Sequence, residues 1–109
     1  MQPIVQEFPI HSSLVLSEDC LLLNIWSPKC KYHYKKKLLP VMVWFYGGVL
    51  IMGSIYQLPH YNGSALASHD VVIVTVNYRV GAFGFLYGGD KTAPGNQGLY
   101  DQILALKWV

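Results

Sequence analysis

The residues of this sequence with the plainest chemical use are two adjacent glycines. Tyr46-Gly47-Gly48-Val49 closes a run of apolar and aromatic residues, Val41–Tyr46 (Val-Met-Val-Trp-Phe-Tyr). Glycines at the end of a strand let backbone N–H groups turn out toward a ligand. N–H groups held in that way stabilise the oxyanion that develops in acyl transfer. A Gly-Gly pair also makes an ordinary tight turn, so the pair alone is weak evidence. The remaining reactive side chains form no constellation. Cys20 and Cys30 make neither a disulfide framework nor a zinc site. They could pair with each other across a short loop, or each could belong to another partner. No metal and no cofactor is expected.

These residues sit in a chain of 109 residues, 52% hydrophobic and 13% charged. That length allows at most one domain. The charged share is about half the usual quarter, which excludes a disordered tail and suggests a piece of a larger core. The net charge is +2, and Lys29, Lys31, Lys35, Lys36 and Lys37 supply five of the eight basic residues. So local a cluster reads as a solvated loop, and no nucleic-acid partner is expected.

The elements follow from apolar runs and their breakers. Residues 1–19 are uneven, with Pro3 and Pro9 interrupting any regular element. Residues 21–26 read as a strand bounded by Pro28, and residues 27–37 as a basic loop. From Leu38 to His69 there is no Lys, Arg, Asp or Glu. Within and beyond that stretch, residues 41–46 and 71–77 are near-continuous apolar runs joined by a long connection. They read as parallel strands of one sheet, covered on both faces. Ser64–Ser68 is a short helical candidate. Residues 87–98, with Gly88, Gly89, Pro94, Gly95 and Gly98, read as a long irregular loop. Asn96 offers an N-cap, and Leu99, Ile103 and Leu106 recur at helical spacing, so a helix is expected from about 97 to 109. Its pattern runs to Val109 with no stop signal, which suggests truncation. The class is α/β, with a mostly parallel sheet. A chain that exposes so much of a sheet and a strand edge is expected to be aggregation-prone or poorly folded when made alone.

Leu38–Tyr56 is 19 residues long, uncharged and preceded by Lys35-Lys36-Lys37, so its length and flank also fit a membrane span. Pro40, Gly47, Gly48 and Gly53 favour a strand and turn over a lipid-facing helix. No signal peptide is visible, since Met1 is followed by Gln2 and Pro3 without a basic and apolar leader.

Four blocks resemble the type B carboxylesterases. Ser17-Glu18-Asp19-Cys20-Leu21-Leu22-Leu23-Asn24-Ile25-Trp26 is similar to one family signature. Leu39-Pro40-Val41-Met42-Val43-Trp44 with Tyr46-Gly47-Gly48 is similar to the family's strand and oxyanion loop. Asn77-Tyr78-Arg79-Val80-Gly81-Ala82-Phe83-Gly84-Phe85-Leu86 and Ala93-Pro94-Gly95-Asn96-Gln97-Gly98-Leu99-Tyr100-Asp101-Gln102 complete the set, which continues into Ala105-Leu106-Lys107-Trp108-Val109. The resemblance covers the chain from about residue 17 to 109. It implies that residues 1–109 are part of a carboxylesterase type B domain of α/β-hydrolase fold.

The family hydrolyses carboxylic esters, its small-molecule partners, through a Ser–His–Glu or Ser–His–Asp triad whose serine lies in a Gly-x-Ser-x-Gly elbow. No serine here has glycine at both flanking positions; Ser54 has Met52 and Tyr56, and Ser64 has Asn62 and Leu66. His11, His33, His60 and His69 match no catalytic position and read as loop histidines. No catalytic triad residue is therefore assigned, and the chain alone is expected to be inactive. By the same resemblance Gly48 and Val49 match the two oxyanion-hole donors, in a loop begun by Tyr46 and Gly47. Val49 departs from the family's glycine, and its β-branched side chain resists positive φ. Tyr61 matches a residue near the acyl and choline pocket, with packing the plainer role. Cys20 matches a disulfide cysteine whose partner lies upstream, and Cys30 matches none. Gln6 to Ser17 holds no Trp at the choline site, which argues against choline esters. Arg79 is expected to lack the acid that pairs with it in the family, and Glu18 its basic partner. Family habit points to secretion or the cell surface. The alternative is a non-catalytic, neuroligin-like or pseudoenzyme binding protein, toward which Val49 leans.

Overall fold

The computed structural model describes residues 17–29 and 38–109. Three strands form one sheet: β1 (Leu23–Trp26), β2 (Val41–Phe45) and β3 (Val72–Val76), in the order β1-β3-β2. The helices are α1 (Ser64–Ala67), α2 (Gly81–Phe85) and α3 (Gln97–Trp108), and Pro59–Tyr61 forms a single 3₁₀ turn. The Val-Ile-Val-Thr-Val sequence of β3 is β-branched throughout, which suits a strand packed on both faces. Ile73, Val74, Thr75 and Val76 are all buried, and this strand is the centre of the fold.

β2 and β3 run parallel, as their apolar runs predict, with Val41 opposite Val72 and Phe45 opposite Val76. β1 runs antiparallel to β3, with Leu23 opposite Val76 and Trp26 opposite Ile73. Among the described residues the sheet is therefore mixed, not mostly parallel. The direction of β1 could not be read from its apolar run, because strand direction is set by the connection and not by composition. Coverage also differs. Among the described residues β2 lies at an edge, with Val41, Met42 and Trp44 about half exposed (47%, 55% and 47%).

α3 begins where expected, but it buries a different face. Gly98, Asp101 and Ala105 are its buried residues, while Leu99, Ile103 and Leu106 stay exposed. Ala105 packs with Val74 and Val76. Gly98 lies so close to the carbonyl of Arg79 that a Cβ would collide with it. Asn96 occupies the N-cap position in a left-handed conformation (φ 60°), and its side chain makes no cap hydrogen bond. Its carbonyl instead accepts from the N–H of Leu99 (3.0 Å) and Tyr100 (3.1 Å). α2 has no helical signature in the sequence, since Gly81 and Gly84 hide its helical character. Among the described residues no helix is long and apolar enough to cross a membrane, and residues 41–45 of the uncharged run form β2. Cys30, and with it the possible Cys20–Cys30 pairing, lies outside the described residues, as do His11, His33 and residues 35–37.

Candidate oxyanion loop

Residues 47–54 form a loop pinned at both ends. Tyr46, at the exit of β2, and Tyr78, just beyond β3, are buried and stacked, with ring centroids 4.5 Å apart and planes 20° apart. The Tyr46 hydroxyl donates to the Tyr78 carbonyl (2.6 Å), and the Tyr78 hydroxyl donates to the Tyr46 carbonyl (2.8 Å). Burial pushes the Tyr46 phenol up to about 12 and raises that of Tyr78 as well. Both side chains stay neutral and serve as hydrogen-bond bridges. At the far end the Ile55 N–H donates to Asn77 Oδ1 (2.9 Å), while Asn77 Nδ2 donates to the Cys20 carbonyl (3.0 Å). One asparagine thus joins the loop, β3 and the approach to β1.

Between these anchors the backbone is contorted. Gly48, Val49 and Leu50 have φ of 149°, 56° and 63°. The Gly48 carbonyl accepts from the N–H of Ile51 (3.0 Å) and Met52 (3.2 Å), and the Leu50 carbonyl accepts from the Gly81 N–H (2.7 Å). A Cβ at Gly48 would run into the Met52 carbonyl, so only glycine fits there. Val49 adopts the positive φ that its branched side chain resists, and that side chain is 85% exposed. Among the described residues the N–H groups of Gly48 and Val49 have no hydrogen-bond acceptor. Two adjacent amide donors at a strand exit can bind an anionic or polarised oxygen.

Other candidates from the sequence lie elsewhere. Tyr61 is half-buried, 5.7 Å from Trp44 between ring centroids. It lines a cavity of about 240 Å³ on the sheet face with Met42, Trp44, His60 and Ile73, and no residue of the 47–54 loop is among that cavity's walls. Cys20 is half-buried and has no disulfide partner among the described residues. His60 and His69 are exposed, and no group of metal-ligating side chains occurs among the described residues.

The expectation of an unpaired Arg79 is wrong. Asp101 on α3 takes its guanidinium in a two-pronged pair, Nε to Oδ2 at 2.8 Å and Nη2 to Oδ1 at 2.7 Å, and also accepts the Arg79 N–H at 3.0 Å. The acid lies within this chain, 22 residues on. Burial pushes the Asp101 carboxyl up, and the hydrogen bonds from Arg79 outweigh that and hold it below its ordinary value. The same bonds raise Arg79. The Tyr46–Tyr78 bridge has no signature in the sequence, because tyrosines beside an apolar run give no sign of where their hydroxyls go.

The family model described as the carboxylesterase family matches residues 1–109. Acetylcholinesterase 4 of Caenorhabditis briggsae is 53% identical over 100 residues, which is 91% of this chain and 16% of that protein. Carboxylesterase 3B of Mus musculus is 54% identical over 95 residues, 86% of this chain and 16% of that protein. Cholinesterase of Mus musculus is 53% identical over 96 residues, 86% of this chain and 15% of that protein. The chain spans about one sixth of the length of such relatives.

Proposed function

From a chain that belongs to the carboxylesterase family, we propose the oxyanion-loop segment of a carboxylic-ester hydrolase with an α/β-hydrolase fold. The observation that carries this reading is the pair of adjacent amide donors, Gly48 and Val49, at the exit of β2, which have no acceptor among the described residues. In the reaction a serine hydroxyl attacks the ester carbonyl and passes its proton to a histidine. The carbonyl oxygen becomes an oxyanion, held by the N–H groups of Gly48 and Val49. Collapse expels the alcohol, which takes the proton back, and water then frees the acid from the serine. The chain's own contribution is electrostatic, and removing one donor of this kind costs about 10²–10³ in rate. The Tyr46–Tyr78 bridge and the Asn77 side chain hold the donors in place.

A chimera tests the reading. The matching segment of mouse carboxylesterase 3B is replaced by residues of this chain, and turnover of a chromogenic acetate ester is measured. Hydrolysis by the chimera, increased by Val49→Gly, is expected, while the 109-residue chain alone gives no turnover above buffer and albumin controls. A folded chimera that stays inactive both with Val49 and with Val49→Gly overturns the proposal. That outcome would support the second reading, a non-catalytic binding protein, which the strained Val49 favours.

A further inference from the structure

Building on the esterase reading of the loop, we propose that Val49 makes the oxyanion site selective for esters of small, unbranched carboxylic acids. Between Tyr46 and Leu50 the chain runs Gly47-Gly48-Val49, so the stretch that bears the two donors carries one side chain, that of Val49. One side of the stretch is filled by the loop itself. A Cβ at Gly48 would meet the Met52 carbonyl, and one at Gly53 would meet the Tyr46 ring. The Val49 side chain takes no part in that packing and is exposed among the described residues. Like the N–H groups of Gly48 and Val49, it finds no partner within the loop.

Covalent geometry brings that side chain to the bound carbonyl. The Val49 Cβ is two bonds from its own amide nitrogen, about 2.5 Å away. An oxygen accepted by the same N–H lies about 2.9 Å from that nitrogen. The γ-methyls therefore border whatever the carbonyl carbon carries, and they cannot swing away. A β-branched side chain has few χ1 rotamers. The backbone on either side is tied as well, because the Gly48 carbonyl accepts from Ile51 and Met52 and the Leu50 carbonyl accepts from Gly81. Val49 holds a φ of 56°, where a branched residue is strained, and such outliers cluster at ligand sites. Of the carbonyl's two substituents, the acyl group meets Val49 twice. The alcohol departs when the first oxyanion collapses. The acyl group is still present when water attacks and the oxyanion returns to the same donors.

The chimera with mouse carboxylesterase 3B carries the test, read as kcat/KM for 4-nitrophenyl acetate against 4-nitrophenyl pivalate and benzoate. With Val49 in place the chimera should favour the acetate, and Val49→Gly should lower that preference about tenfold or more. Val49→Ala keeps a Cβ at positive φ but removes the methyls, and it should lower the preference too. Val49→Thr keeps the branched shape and should retain it. These two variants separate side-chain size from backbone strain. Turnover of acetate with a preference unchanged by Val49→Gly and Val49→Ala would overturn the selectivity and leave the esterase reading in place. A preference lost in Val49→Thr as fully as in Val49→Ala would overturn it in the same way. No turnover of any of the esters, by the folded chimera or by its Val49→Gly variant, would instead overturn the esterase reading, and the selectivity with it.

Discussion

Tyr46 and Tyr78 each donate a hydroxyl proton to the other's backbone carbonyl, at 2.6 and 2.8 Å, across stacked rings. The arrangement closes a ring of two side chains and two main-chain segments at the exits of the parallel strands β2 and β3. Satisfying both carbonyls with side chains from the facing strand ends both strands at a fixed separation. The loop that carries Gly48 and Val49 starts from that fixed point.

Removing either hydroxyl leaves a buried carbonyl without its donor. Tyr46→Phe and Tyr78→Phe should each cost about 1–3 kcal/mol. The double variant should lose less than the sum of the two, because the bonds share one structure. Denaturant titration of the four proteins measures this; strictly additive losses would show that the two bonds are independent.

The same pair sets a limit at high pH. The Tyr46 phenol stands at about 12 against an ordinary 10.0. A folded-state value above the unfolded one means that the folded protein holds the proton more tightly. This contribution is complete below pH 10 and is lost as pH rises toward 12. Tyr46→Phe should flatten the fall in stability over that window, as read from melting temperature against pH.

Asp101 acts at the opposite end of the scale. Its carboxyl is held below its ordinary value, so its contribution is present above the unfolded carboxylate value and is lost as the pH falls through the folded one. Asp101→Asn should remove this acid dependence. Breaking a fully buried pair costs about 3–5 kcal/mol. The Arg79 side chain is 37% exposed, so roughly half of that is expected. Urea midpoints at neutral and acidic pH measure both effects, and a variant that keeps the acid dependence of the parent would assign it to another carboxylate.

Val49 should be improved by glycine. A branched residue at φ 56° costs about 1–2 kcal/mol, against about 0.5–1 kcal/mol for the greater backbone freedom that glycine loses on folding. Val49→Gly should therefore raise stability by about 0.5–1 kcal/mol. Gly48→Ala should do the opposite, because its Cβ meets the Met52 carbonyl. Melting temperatures moving the other way for either change would refute the loop conformation.

Much of the fold is legible in residues 41–46, 71–77 and 97–109, because long apolar runs and helical periodicity mark where strands and helices form, although not which face each one buries. Ser64–Ser68 is legible for its length and its neighbours, with α1 at Ser64–Ala67. What escaped depends on side chains acting at a distance. Asp101 sits on the buried face of α3 for the sake of Arg79, so an apolar pattern points to the wrong face. Gly48 and Val49 stand out in the sequence only through the family resemblance, and the contacts that anchor their loop, Tyr46–Tyr78 and Asn77, leave no mark in it. A tyrosine hydroxyl or an asparagine amide leaves no periodic trace of its partner.

Gly98 sets helix propensity against packing. It lies in the first turn of α3, where replacing glycine by alanine ordinarily gains about 0.8–1 kcal/mol. Here an added Cβ collides with the Arg79 carbonyl and comes within 2.8 Å of the Phe85 ring. Neither neighbour can yield freely, because Arg79 is tied by its own N–H and guanidinium to Asp101, three residues along the same helix. Overpacking of this kind costs about 1–3 kcal/mol, occasionally more, and backbone contacts belong at the upper end. Gly98→Ala should therefore destabilise the chain despite its better propensity, while Gln102→Ala, on the same helix away from the contact, should be nearly neutral. Denaturant midpoints decide it: a Gly98→Ala protein as stable as the parent would mean that α3 does not rest on the Arg79 carbonyl.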